Sequence, residues 1–223
     1  YVLENDAQCP AAHLCHHFIL GNIQDYDAVY NFGKNLDAIT IEIEAVNVDA
    51  LAQLEKEGFA VVGTRFTYAT GRLALWSRQP NLVDDKGEVL RSHRFDQLGI
   101  HKIAMADPKL APYGAAAMEV IQRMGVQSSV SPKLVQGESI GQTYQFVSTE
   151  NAQLGFVALS QILVDGRITQ GSAWVVPQSM HTPLKQDAVL LNAGKDNAAA
   201  RALLKYLQSN TAKAIIQSYG YAL

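Results

Sequence analysis

KIAMADPKLAPYGAAAMEVIQ, Lys102–Gln122, runs from a strand through a loop into a helix. HKIAMA (His101–Ala106) is apolar enough for a buried strand, and Ala117, Val120, Ile121 and Met124 make a narrow apolar stripe at helical spacing over Gly114–Met124. The same alternation continues on both sides. Upstream, FTYATGRLALWS (Phe66–Ser77) is a longer apolar strand, and its GRLALWS portion reads as packing because an apolar strand ending in Trp reports burial. The polar stretch Arg78–Arg94 follows, with Pro80 and the turn sequence Asp84-Asp85-Lys86-Gly87, and reads as a surface excursion. Downstream, Ser139 and Gln142 form a capping box, and LGFVAL (Leu154–Leu159), SAWVV (Ser172–Val176) and DAVLL (Asp187–Leu191) are further strands. Asn197–Gln208 and Thr211–Tyr219 are a closing helical pair. Strands alternating with helices predict an α/β fold of mostly parallel sheets with helices on their faces.

Before Phe59 the elements are shorter. Val2-Leu3 and His17–Leu20 are small strand candidates, and DAITIEIE (Asp37–Glu44) is the clearest strand, with Ile39, Ile41 and Ile43 alternating with polar residues. This strand is expected at the centre of a parallel sheet, beside Asp187–Leu191 or Leu73–Trp76. Asp25 caps a helix in which Tyr26, Val29, Tyr30 and Phe32 face inward before Gly33 stops it. A second helix, NVDALAQLEKEG, buries Val48, Leu51 and Leu54 and ends at Gly58. No internal repeat or low-complexity linker interrupts the chain.

With 223 residues, 48% of them hydrophobic and 17% charged, this is the composition of a globular protein of one or two domains. A net charge of -3 gives no basic field for nucleic acid, and no apolar run reaches the roughly 18 residues needed to cross a bilayer. The opening YVLENDAQCP lacks the basic and apolar regions of a signal peptide, so the chain reads as mature, truncated or cytosolic. Cys9, His13, Cys15, His16 and His17 are contiguous, whereas zinc sites favour two separated ligand pairs, so no metal site is expected. Neither a P-loop nor G-x-G-x-x-G nor a Ser-His-Asp order is present.

YATGRLALWS followed by KIAMADPKLAPYGAAAMEVIQ, and then QDAVLL through ARALLKYLQSNTAKAIIQSYGY, is similar to the molybdate-binding proteins of ABC importers from about Phe59 to Leu223. The resemblance implies a two-lobe, type II periplasmic-binding-protein-like fold with an oxyanion clamped between the lobes. On that pattern the chain crosses near Leu73–Ser77 and Val176–Lys185. Residues 1–77 and 178–223 form the first lobe, and residues 78–177 the second. A tetrahedral dianion is held there by neutral donors, because helix N-terminal N–H groups and hydroxyls match its oxygens while the helix dipole favours negative charge. The second-lobe half of the site resembles Tyr113 and Gly114 in APYG, a hydroxyl and a helix start, with Ser139 and Ile140 in ESIGQ, a backbone N–H after a serine. Relatives with a tyrosine in the strand LGFVAL would carry it at Ala158, so Tyr113 stands in for that contact. The implied ligand is molybdate or tungstate, without cofactor, metal or catalysis. The implied protein is a periplasmic monomer that meets an importer's membrane subunits.

The first lobe is atypical. Where the family carries Ser- or Thr-bearing loops, this chain reads ENDAQ and GNIQD, and Glu4, Asp6 and Asp25 bring negative charge there. Asn5, Asn22 and Thr40 are the remaining donors near strand ends, and oxyanion binding is expected to be weak or absent. Tyr1–Gly58 instead resembles the N-terminal domain of the ATP-grasp enzyme carboxyaminoimidazole ribonucleotide synthetase. That domain's Gly-rich loop and the enzyme's ATP-binding lysine and metal-binding carboxylates have no counterpart here, so catalysis is not inherited. The strand end IEIEAVN implies Glu44 as a remnant of the ribonucleotide pocket. The two resemblances meet at LAQLEKEGFAV (Leu51–Val61) and together describe a chimera. Three readings stand: an oxyanion receptor of reduced competence, a fragment of a purine-biosynthetic enzyme, which would be cytoplasmic, and a scaffold that binds neither ligand.

Overall fold

The computed structural model describes residues 1–5, 7–40, 46–164 and 166–223. The first part of the chain forms β1 (Val2–Glu4), α1 (Pro10–Leu14), β2 (Phe18–Leu20), α2 (Tyr26–Gly33), β3 (Ala38–Thr40), α3 (Val48–Lys56) and β4 (Phe66–Gly71). The middle forms β5 (Leu73–Ser77), β6 (Ile103–Ala106), α4 (Pro112–Arg123), α5 (Gln127–Val130), β7 (Leu134–Gly137), α6 (Ile140–Ser148), β8 (Leu154–Ala158) and α7 (Leu159–Ile162). Then come β9 (Leu163–Val164), β10 (Arg167–Ile168), β11 (Ser172–Val175), β12 (Leu184–Leu190), α8 (Ala198–Leu207) and α9 (Asn210–Ser218). The chain makes two compact units, Tyr1–Tyr68 with Gln186–Ala212, and Ala69–Lys185 with Lys213–Leu223. The last eleven residues, expected with the first lobe, belong to the second unit, where Ala222 bridges Thr70 and Gly220 packs on Leu159 and Leu163.

In the first unit, helix caps follow the sequence closely. Asp25 accepts the Ala28 N–H at 2.7 Å to start α2, and Asn47 accepts the Ala50 N–H at 2.9 Å to start α3. Gly58, at φ +78°, closes α3 as the Phe59 N–H turns back to the Leu54 carbonyl at 2.9 Å. Gly33 ends α2 against Leu54 and Ile39, and a Cβ there would lie 2.5 Å from one Leu54 methyl. Ile39, Leu54, Ala60 and Leu191 form the core beneath these helices, while Ala200 and Leu204 of α8 pack with Leu190. β1 and β2 pair in parallel, Val2 opposite Phe18. β3 lies beside Asp187–Leu191, as expected, but departs from expectation in direction and position. Among the described residues it is the edge of a three-stranded sheet ordered β3-β12-β4, antiparallel to β12 with Ile39 opposite Val189. The returning strand β12 takes the centre because it pairs on both sides, which a reading of local alternation does not reveal. The remainder of the expected strand, residues 41–44, lies outside the described residues.

The second unit is built on a mixed sheet ordered β11-β5-β8-β6-β7. β6 pairs in parallel with β7 and β8, whereas β5 pairs antiparallel with β8 and β11. Period-two alternation divides β5 between two cores. Leu73 and Leu75 join Ile103, Met105, Leu154 and Phe156 under α4, while Ala74 and Trp76 join Ala104, Val147 and Val157 under α6. Trp76 is 2% exposed, donates its indole N–H to the Gln170 carbonyl at 3.0 Å and stacks on Tyr144, so the packing reading of GRLALWS holds. Arg78–Arg94 is not simply a surface excursion. Asp84 accepts the N–H groups of Lys86 and Glu88, and the turn they make carries Val83, Val89 and Leu90 into the core beside Phe95.

Candidate functional site

The second unit reverses its strand order at β6. From β6 the chain passes through α4 to β7 on one side, then through α6 to β8 on the other. α4 packs on the face formed by Ile103, Met105 and Phe156, and α6 on the opposite face with Val147 over Ala104. Both helices therefore begin beyond the carboxyl ends of the parallel strands, one from each face. In open α/β sheets this reversal opens a crevice that binds ligands, and helix N-termini there favour anions.

Local bonds fix this edge. The Asp107 N–H donates to the Gly137 carbonyl at 2.8 Å, tying the ends of β6 and β7 together. Asp107 then turns the chain, accepting the Lys109 N–H on Oδ1 at 2.8 Å and the Ala111 N–H on its carbonyl at 2.9 Å. Pro112 opens α4 with its φ preset and no N–H to satisfy.

Tyr113 and Gly114 come next. Tyr113 is 2% exposed, and its hydroxyl fills the space that a side chain at Gly71 would take, beside Leu184. The Gly114 N–H donates to the Ala111 carbonyl at 2.9 Å, so it is used within the first turn. What Gly114 contributes is its missing side chain, since a Cβ would collide with the Ala106 carbonyl and hold α4 away from β6.

At the start of α6, Ser139 Oγ accepts the Gln142 N–H at 3.2 Å, and the Ser139 carbonyl accepts both the N–H and the hydroxyl of Thr143. The capping box is altered. Gln142 Oε1 takes the Glu138 N–H at 2.7 Å instead of that of Ser139. Among the described residues no protein acceptor meets the N–H groups of Ser139 and Ile140, and Ser139 is exposed. Ile140 packs its side chain on the larger core, which holds its backbone at the surface edge. Gln161, which the sequence analysis did not single out, joins this edge to β8. It accepts the Ala158 N–H at 3.0 Å and donates to the Ile140 carbonyl at 3.3 Å. Ala158 is 4% exposed in the same core as Tyr113. Tyr113, Gly114, Ser139 and Ile140 thus belong to one end of one sheet. Asp107 and the exposed Glu138 place carboxylates nearby, which oppose an anion.

The first-lobe candidates lie in the other unit. Asn5 follows β1 and Asn22 follows β2, and the Gly21 N–H donates to the Glu4 carbonyl at 3.0 Å, so both asparagines stand past the same end of one parallel pair. The Asn5 N–H donates to Glu4 Oε1 at 2.7 Å, and Asn22 Oδ1 accepts the Gln24 N–H at 2.9 Å. Thr40 is paired with Ala188 in β3, and Glu44 and Asp6 lie outside the described residues.

The model of the bacterial extracellular solute-binding protein family matches residues 43–222. The chain belongs to this family. It is 53% identical over 171 residues to the molybdate-binding protein ModA of Azotobacter vinelandii, covering 77% of this chain and 66% of that protein. To the molybdate-binding protein ModA of Rhodobacter capsulatus it is 52% identical over 166 residues, 74% of this chain and 62% of the relative. The chain thus matches less than two thirds of the length of either relative. The solved periplasmic molybdate-binding protein of A. vinelandii superposes with a TM-score of 0.74 at 32% identity, covering 96% of this chain and 90% of that one. Its fold is therefore that of the type II periplasmic receptors. A second model, the ribonucleotide synthetase preATP-grasp domain, matches residues 1–65. The two matches share residues 43–65, so the chimera is joined within the stretch that includes α3.

Proposed function

We propose that this solute-binding family member is the oxyanion receptor of an ABC importer, with molybdate or tungstate as its ligand and no catalytic activity of its own. The observation that carries the reading is the start of α4 and of α6 at one carboxyl edge of the β6 reversal, from opposite faces of the sheet. The Ser139 and Ile140 N–H groups, the Ser139 hydroxyl and the Tyr113 phenol are its neutral donors, and Gly114 lets α4 come close enough to contribute. The likeness to two molybdate-binding proteins supports the choice of anion. The likeness to a solved periplasmic molybdate-binding protein supports a periplasmic location, and the reading takes the protein as a monomer with importer membrane subunits as its partner.

Affinity is reduced in this reading. The first-lobe loops offer Asn5 and Asn22 in place of hydroxyl-bearing residues, with Glu4 and Asp25 beside them. Each charge-assisted hydrogen bond lost is worth roughly 1.5–3 kcal/mol, so losing two or three weakens binding by several orders of magnitude. Calorimetric titration of the purified chain with molybdate and tungstate, against sulfate, tests the reading. Weak, saturable heats with the first two and none with sulfate are expected. A flat titration of folded protein would favour the scaffold reading, which the preATP-grasp match over residues 1–65 motivates.

A further inference from the structure

The first unit contains a cavity of about 320 Å³ that the oxyanion reading does not use. It opens between β1, which pairs with β2, and β3, which pairs with β12. Val2 and Leu3 of β1, Val29 of α2, Ile39 of β3 and Leu51 of α3 line it, and among the described residues that line it Glu4 is the one charged side chain. Every described lining residue falls between Tyr1 and Leu51, inside the preATP-grasp match. An apolar cavity of roughly 150 Å³ stays dry and takes up benzene, and small-molecule sites begin at roughly 300 Å³. This volume therefore accommodates one ring with a short substituent.

The chemistry of the substituent follows from Glu4. Its Oε1 accepts the Asn5 N–H at 2.7 Å, and among the described residues no donor meets Oε2. A carboxylate at the margin of an apolar cavity favours a cation carried on an apolar body and disfavours an anion of the same shape. We propose that the cavity is a binding site for a small apolar amine, with the ring against Val29, Ile39 and Leu51 and the ammonium on Glu4.

Benzylamine is the probe, with toluene and benzoate as controls of the same body and different charge. Titrations of the full chain are followed by methyl NMR of Val29 and Leu51. Saturable shifts with benzylamine, weaker ones with toluene and none with benzoate are expected. Glu4→Gln should lower benzylamine affinity about tenfold and leave toluene unchanged. Ala11→Phe, which fills the cavity from α1, should abolish both. If Ala11→Phe does not fold, Glu4→Gln still decides. The proposal is overturned by absence of saturable benzylamine binding, by equal response to benzoate, or by benzylamine affinity that survives Glu4→Gln unchanged.

Discussion

The phenol oxygen of Tyr113 occupies the space where a side chain at Gly71 would begin. A residue at the second position of α4 is thereby seated on the last residue of β4, with Leu184 beside it. Gly71→Ala should cost about 1–3 kcal/mol through overpacking, read as a lower urea midpoint. The penalty should shrink when Tyr113→Phe is added, because the overlapping oxygen is then gone. An additive double-mutant cycle would mean that the hydroxyl does not set the limit at this position.

Much of this region was legible beforehand because its signals are local. Pro112 and the Ala117, Val120 and Ile121 stripe describe α4, and Ser139 marks the start of α6. The pairing of β3 with the strand at Asp187–Leu191 was legible, but its antiparallel direction and edge position were not, since alternation along Asp37–Glu44 gives a buried face without giving a direction. The burial of Val89 and Leu90 was hidden by the polar residues around them, whose turn points the two side chains inward. Gln161 and the cavity of the first unit arise from residues distant in sequence, and no motif announces either.

Tyr113→Phe tests the donor role directly. Loss of one hydroxyl contact to a dianion should weaken molybdate binding by roughly 10- to 100-fold, with the sulfate titration still flat. Unchanged molybdate affinity removes Tyr113 from the site and leaves its role as packing on Gly71.

Gln161→Leu should cut the bridge between β8 and α6. The Ala158 N–H is then buried without its acceptor, at a cost of about 1–3 kcal/mol. Hydrogen exchange should accelerate at Ala158 and in the first turn of α6 while Val29 and Leu54 in the other unit keep their protection. Uniform acceleration across both units would show that the side chain supports global stability instead of this edge.

Asp84 makes a pH-dependent contribution. Burial opposes its charge, but the Lys86 and Glu88 N–H donors outweigh that and hold the carboxyl below its usual 3.8. Because the folded-state value is the lower one, the stabilisation is present above the unfolded value near 3.8 and fades as pH falls through the depressed folded value. Asp84→Ala should therefore lower the urea midpoint at pH 7, and the difference from the parent should narrow in acid below that range. A difference that stays constant down to strong acid would assign the effect to the turn's shape and not to its charge.

Thr70 and Ala222 bond to each other in both directions, at 2.8 and 2.9 Å, although they lie near opposite ends of the second unit's discontinuous sequence. A ribosome delivers this chain from its N-terminus, so β5 through β11 are all made long before the residue that closes β4's far end. During translation the nascent second unit must wait with Leu159 and Leu163 uncovered until Gly220 emerges to pack on them. Completion of this unit waits for the segment that carries Gly220 and Ala222, and a chain stalled or cut before it exposes the surface that chaperones and proteases recognise.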